Sequence, residues 1–169
     1  PRVLVPDNVI DPHAWHNPRI VEKYIHNITQ ALQNIDPDYH DFYEKNRQAY
    51  MQKLQELDSW IEKRLRDIPQ TYRLIITNHD AFGYFGEAYH VDFLAPIGLS
   101  TEAEPKIQKV VQMIQTIKKK GIKTVFLENI TNPKLMRQIS EETGAKIGPV
   151  LYSDALSNNG EPATTYLDL

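Results

Sequence analysis

The chain has 169 residues, a formal net charge of −3 and no cysteine. This length fits one domain of ordinary size with a sizeable core, and the interspersed acidic and basic residues do not indicate nucleic acid or an anionic membrane as a partner. Without cysteine there are no disulfides and no thiolate metal ligands, so a transition-metal site would have to use histidines and carboxylates. No apolar run is long enough to span a bilayer.

The first part of the chain predicts an extended segment and two helices. Three prolines and no helical period make residues 1–12 extended. Pro18 lies near the first turn of a helix whose apolar residues recur at helical spacing up to Ile35, where Asp36-Pro37 ends it. A second helix, over 38–67, would be roughly 45 Å long, which is more than one domain of this size needs internally. A coiled coil is the competing interpretation, although polar and aromatic interruptions weaken it.

Beyond Pro69, short strands alternate with helices, which predicts an α/β fold with a parallel sheet of about four strands flanked by helices. Right-handed crossovers would place the loops that follow these strands at one edge of the sheet. Gly121 and Gly144 are expected to end two of the helices, and the last residues, 163–169, look like the start of a further one. The predicted strands are 74–77, 91–97, 124–127 and 146–151, and the predicted helices are 81–89, 105–120 and 133–143.

His79 follows the first strand directly, where an apolar run stops at His79-Asp80. Ligands of open parallel sheets bind in the crevice at the carboxyl ends of the strands, so His79 is a candidate functional residue. The alternative is that Asp80 serves only as the N-cap of the next helix.

His13 and Asp154 are two further candidates, placed on loops or strand ends. Imidazole and carboxylate without thiolate suit zinc, manganese or iron. His13 could instead stabilise a turn after Pro12, and Asp154 could cap a short helix. Spacing alone leaves these alternatives open.

Four segments of the chain, taken in order, resemble one protein family: the substrate-binding proteins of zinc and manganese ABC importers. The resemblance covers nearly the whole chain, and its specificity lies in the combination, because each segment alone would be weak. The segments are Asp-Pro-His-Ala-Trp at 11–15, Asn-His-Asp-Ala-Phe-Gly-Tyr-Phe at 78–85, Gly-Leu-Ser-Thr-Glu-Ala-Glu-Pro at 98–105, and Tyr-Ser-Asp-Ala-Leu-Ser at 152–157.

The resemblance implies a metal site made by His13, His79 and Asp154. In that family the histidine of the first segment, the His or Glu that opens the second, and the aspartate of the fourth are metal ligands. Glu102 and Glu104 fall in a loop by the mouth of the site, so they are not expected to bind the ion.

The resemblance also implies a domain organisation. Family members carry an amino-terminal lobe that contributes a first histidine, and the chain does not contain one. We therefore expect one lobe of a two-lobed metal-binding protein: a junction segment and helix at 1–37, a long inter-lobe helix at 38–69, and a carboxy-terminal α/β lobe at 70–169. Apolar residues that would face the other lobe are expected to favour self-association.

The implied function is metal capture without catalysis. The ion would be Zn²⁺ or Mn²⁺, with Fe²⁺ as a further candidate, and the partner would be the permease of an ABC importer. The family implies a periplasmic or other extracytoplasmic location, peripheral to the membrane and membrane-anchored in the full-length protein. A nitrogen-rich site favours zinc modestly, and a glutamate at position 79 would favour manganese.

Two other functions remain open. The same three ligands could leave a position for water in a metal-dependent hydrolase, which ester or phosphoester turnover would reveal. The long helix could instead belong to an adhesin-like interaction module. In that case partner binding would survive loss of all three ligands.

Overall fold

The computed structural model describes residues 10–101 and 104–169. The expected extended course of residues 1–9 and the expected loop position of Glu102 lie outside this range. The chain divides into two compact units, of which one contains Ala14–Pro69 and the other contains Gln70–Leu169 together with the segment that ends at His13.

The helical unit consists mainly of α1, Pro18–Ile35, and α2, His40–Arg66, joined by a 3₁₀ turn at Pro37–Tyr39. The Asn17 side chain caps α1 by accepting a hydrogen bond from the Arg19 backbone N–H at 3.0 Å. Arg19 also joins the two helices, because its Nε lies 3.0 Å from Asp58 Oδ1. The bounds of α1 and α2 confirm both helices that the sequence predicts. The second spans 27 residues and is roughly 40 Å long.

The α/β unit alternates strands and helices as the sequence predicts. Its elements are β1 Leu74–Ile76, α3 Gly83–Tyr89, β2 Asp92–Leu94, α4 Ile107–Lys120, β3 Thr124–Val125, α5 Lys134–Thr143 and β4 Lys146–Ile147.

The four strands form two parallel pairs, β1 with β2 and β3 with β4. A hydrogen bond from Phe126 N–H to the Ile76 carbonyl, 2.9 Å long, joins the pairs, so the strand order is β2-β1-β3-β4. The strands are shorter than predicted because regular pairing stops after two or three residues. Beyond the carboxyl ends of the strands, isolated parallel bridges at His79–Ile97 and Glu128–Leu151 keep the two members of each pair side by side.

The core of this unit lies where α4 and α5 cover the sheet. Its buried members are Ile76, Met113, Ile117, Val125, Met136, Ile139 and Ala145. Gly121 and Gly144 end α4 and α5 at φ values of 64° and 72°, as predicted. Glycine adopts this left-handed conformation without a Cβ clash.

One local prediction and one alternative interpretation are wrong. Residues 163–169 form a turn, in which Leu169 N–H bonds the Thr165 carbonyl, and no helix. Asp80 does not cap the next helix, because α3 begins at Gly83 with Phe82 in the N-cap position. Within the described ranges, no helix has both the length and the apolar character needed to cross a membrane.

Candidate metal centre

The strand order creates a switch point between the two central strands, β1 and β3. The chain continues from β1 to β2 on one side of this point and from β3 to β4 on the other side. In open parallel sheets this crevice, outside the carboxyl ends of the strands, is the usual ligand site. His79 follows β1 and Glu128 follows β3, so both lie at this point. The fold therefore places the predicted histidine where the sequence expects it.

The three residues proposed as ligands come together at this edge. His13, His79 and Asp154 each offer one donor atom, and these atoms all lie within 4.8 Å of one another. His13 Nε2 is 3.4 Å from Asp154 Oδ1, and His79 Nε2 is 3.4 Å from Asp154 Oδ2. Around a tetrahedral zinc ion, neighbouring nitrogen and oxygen donors stand about 3.3 Å apart. Each imidazole–carboxylate separation is close to that value, but the two distances end on different oxygens of Asp154, so they show that the three side chains converge and do not define a tetrahedral donor set.

His79 is held by the carboxylate of Glu128. Its Nδ1 lies 2.5 Å from Glu128 Oε2, and both side chains are fully buried. The other carboxylate oxygen, Oε1, accepts the backbone N–H groups of Asn78 and His79 at 2.8 and 2.9 Å. With Nδ1 engaged by a carboxylate, Nε2 is the nitrogen available to a metal ion.

His13 is held in the same manner by Asp11. Its Nδ1 is 2.7 Å from Asp11 Oδ1, and the same oxygen accepts the His13 backbone N–H at 2.9 Å. The Tyr84 hydroxyl donates to the Asp11 carbonyl at 3.2 Å, which ties this segment to α3. Both imidazoles thus present Nε2 to the site and Nδ1 to a carboxylate.

Exposure differs sharply among the three candidate ligands. His13 is 2% exposed and His79 is 0% exposed, whereas the Asp154 side chain is 28% exposed. The two imidazoles therefore form the floor of the site, and Asp154 lies at its open side. Three donors are one fewer than a tetrahedral zinc ion binds.

Protonation at the site is set by the buried pair of His79 and Glu128. Burial by itself lowers the pKa of His79, but hydrogen bonds and charge from Glu128 and Asp154 outweigh it and raise that pKa. Burial by itself raises the pKa of Glu128, but hydrogen bonding to His79 and the charge of that imidazole outweigh burial and lower the pKa. Burial and the nearby charge of Asp11 raise the pKa of Asp80, which disfavours a further negative charge here.

The remaining polar residues near these motifs do not join the three donors. Glu104 is exposed. Among the described residues, the group of side chains that could hold an ion consists of His13, His79 and Asp154, and it includes neither Glu104 nor His16. The two carboxylates that hold the imidazoles were not predicted from the sequence. Glu128 directly follows a predicted strand, so the rule that selected His79 could have found it. Asp11 stands two residues before His13, within the first motif.

The fold and these three converging side chains together define an α/β unit with a candidate metal centre. The chain belongs to the family described as the zinc-uptake complex component A, periplasmic, whose model matches residues 6–169.

Relatives and solved structures agree with this membership. The chain is 34% identical over 160 residues to the manganese-binding lipoprotein MntA of Halalkalibacterium halodurans, covering 95% of this chain and 53% of that protein. It is 37% identical over 163 residues to the iron-binding protein YfeA of Yersinia pestis, covering 95% and 52%. The periplasmic zinc-binding protein TroA of Treponema pallidum superposes with a TM-score of 0.94 at 25% identity, over 99% of this chain and 62% of that one. The chain thus spans about half the length of these curated relatives.

Proposed function

We propose that this chain captures a divalent transition metal ion and, within its whole protein, delivers the ion to the permease of an ABC importer. The observation that carries the proposal is the pair of buried imidazoles whose Nε2 atoms converge on Asp154. The cargo is Zn²⁺ or Mn²⁺, with Fe²⁺ as a further candidate, since two relatives are a manganese-binding and an iron-binding protein and a structural neighbour is a zinc-binding protein.

The whole protein is proposed to act outside the cytoplasm, at the periplasmic or outer face of the membrane. MntA is named as a lipoprotein and TroA as periplasmic, which supports this location and a membrane anchor in the full-length protein. The chain itself would be peripheral to the membrane and would have no nucleic-acid partner.

The proposed organisation is a carboxy-terminal lobe at 70–169, a long inter-lobe helix at 38–69 and a junction segment at 1–37. The open side of the site at Asp154 would receive a fourth ligand from an amino-terminal lobe. The support is the three-donor set, together with the share of about half that the chain covers in its relatives.

The function is tested by loading the purified chain with Zn²⁺ or Mn²⁺ and measuring bound metal after dialysis. Metal retained by the wild-type chain and lost from a chain without the three ligands is the expected result, and transfer to vesicles that contain the cognate permease is expected of the whole, metal-loaded protein. The family is one of solute-binding proteins, and a hydrolase would instead turn over esters or phosphoesters when metal-loaded. An interaction module would keep its partner after loss of all three ligands.

We also propose that the isolated chain associates with a second copy of itself through α1. Ile28, Leu32 and Ile35 are exposed by 55%, 39% and 81%, and their spacing of four and three residues forms one row on the helix. Sedimentation velocity should show association that Ile35→Lys reduces. Ile107→Lys is the control, because Ile107 is 80% exposed in the α/β unit. A wild-type chain that stays monomeric at high concentration would contradict the proposal.

A further inference from the structure

Asn129 lies directly after Glu128, and its side chain contacts the backbone on both sides of Asp154. Its Nδ2 donates to the Ala155 carbonyl at 3.0 Å. Its Oδ1 accepts the Ser153 backbone N–H at 3.4 Å. One amide group therefore bonds the residue before the metal ligand and the residue after it.

This contact matters because no regular secondary structure holds Asp154. The residues around it form bends, and its side chain lies at the open side of the site. By contrast, the two histidines are buried and each is held by a carboxylate. Asp154 is thus the ligand whose position depends most on contacts made by its own backbone.

The position of Asn129 is itself fixed by the sheet. Its backbone N–H donates to the Leu151 carbonyl at 3.0 Å, and the Leu151 N–H donates to the Leu127 carbonyl at 2.8 Å. The Asn129 side-chain amide is therefore held by an anchored backbone against residues 153–155, the segment that carries Asp154. An amide can donate and accept at the same time, which a carboxylate or an aliphatic side chain cannot do.

We propose that Asn129 is a positioning residue for metal binding. It fixes the backbone of the Ser153–Ala155 segment so that the Asp154 carboxylate lies next to the two imidazoles. The inference rests on the proposed function. Glu128 and Asn129 would then be adjacent residues that position two different ligands, His79 and Asp154, from one loop. Loss of the amide would let the carboxylate move, and the ion would dissociate faster.

The test is calorimetric titration of the purified 169-residue chain with Zn²⁺. Asn129→Ala and the similarly sized Asn129→Leu should each weaken binding about tenfold, as is typical when a group that orients a ligand is lost. Asn132→Ala is the matched control, since the Asn132 side chain accepts the Lys134 backbone N–H in the same loop. It should leave Zn²⁺ affinity unchanged, and the melting temperatures of the metal-free variants report whether each one folds.

A double substitution separates a positioning role from general destabilisation. In an Asp154→Ala background, adding Asn129→Ala should cause no further loss of affinity, because the ligand that it positions is gone. The visible absorption spectrum of bound Co²⁺, which reports coordination geometry, should change in Asn129→Ala and not in Asn132→Ala.

The outcomes that overturn the inference are distinct. Wild-type Zn²⁺ affinity in both Asn129 variants, or an equal loss with and without Asp154, would overturn it while leaving the proposed function intact. Wild-type affinity in Asp154→Ala would overturn the ligand set of the proposed function and this inference with it.

Discussion

Glu128 Oε2 lies 2.5 Å from Nδ1 of His79, although the two residues are 49 positions apart in the chain. The contact crosses the switch point of the sheet, because each residue follows one of the two central strands. A carboxylate at Nδ1 fixes the ring orientation and makes the opposite nitrogen a better metal ligand.

Replacing Glu128 by Gln should weaken metal binding about 10- to 100-fold, because the amide cannot provide the negative charge that supports the imidazole. Zn²⁺ affinity measured by competition with a chelator checks this prediction. Glu141→Gln is the control, since Glu141 is exposed on α5. Equal affinities for the wild type and Glu128→Gln would show that the contact does not support binding.

Asp11→Asn should act on the other imidazole. The substitution removes the negative charge that lies 2.7 Å from His13 Nδ1, while the oxygen of the new amide could still accept the His13 backbone N–H. We therefore expect weaker Zn²⁺ binding, about tenfold, with little change in the melting temperature of the metal-free chain. Asp92→Asn, at an exposed position on β2, should leave Zn²⁺ affinity unaltered. A comparable loss in both variants would argue against a specific role for Asp11.

The stability of the metal-free chain should depend on pH through the His79–Glu128 pair. The pKa of His79 is raised above its ordinary 6.5, so its contribution is full below that value and is lost as pH rises through the raised pKa. The pKa of Glu128 is lowered below its ordinary 4.5, so its contribution is full above that value and is lost as pH falls through the lowered pKa. This pair therefore stabilises the chain most between the two ordinary values.

Melting temperatures measured with a chelator present, from about pH 4 to about pH 9, check this dependence. Glu128→Gln should flatten the decline on the alkaline side, because the partner that raises the pKa of His79 is gone. If both proteins show the same alkaline decline, the dependence arises elsewhere.

Position 79 is predicted to influence which ion the site prefers. His79→Glu replaces a nitrogen donor by an oxygen donor, which suits manganese better than zinc. The ratio of the Zn²⁺ and Mn²⁺ dissociation constants should change in favour of manganese, although zinc remains the more tightly bound ion. His26→Glu makes the same charge change at an exposed position of α1. An unchanged ratio in His79→Glu would mean that this residue does not set selectivity.

Local chemistry made much of the fold predictable from the sequence. Asn17-Pro18 marks the observed start of α1, and Gly121 ends α4 where the pattern indicates. The alternation of strands and helices predicts a parallel sheet, and the end of an apolar run places His79 at its edge. These signals span a few residues, so they are visible without knowledge of the tertiary structure.

Contacts between distant segments were not predictable in this way. The partnership of His79 with Glu128 depends on β3 lying next to β1, which the sequence pattern does not specify. The turn at 163–169 has a similar cause. Ala163 is buried and exchanges hydrogen bonds with Ser157, so tertiary contacts fix the start of this segment in a non-helical conformation.

His13, His79 and Asp154 are proposed to bind one ion together. X-ray absorption at the zinc edge of the loaded chain tests this proposal most directly, because scattering from imidazole rings counts the bound histidines. We expect two imidazoles and at least one oxygen per zinc, one imidazole in His13→Ala or in His79→Ala, and an unchanged spectrum in His16→Ala. A spectrum that keeps two imidazoles in both ligand variants, or that loses one in His16→Ala, would contradict it.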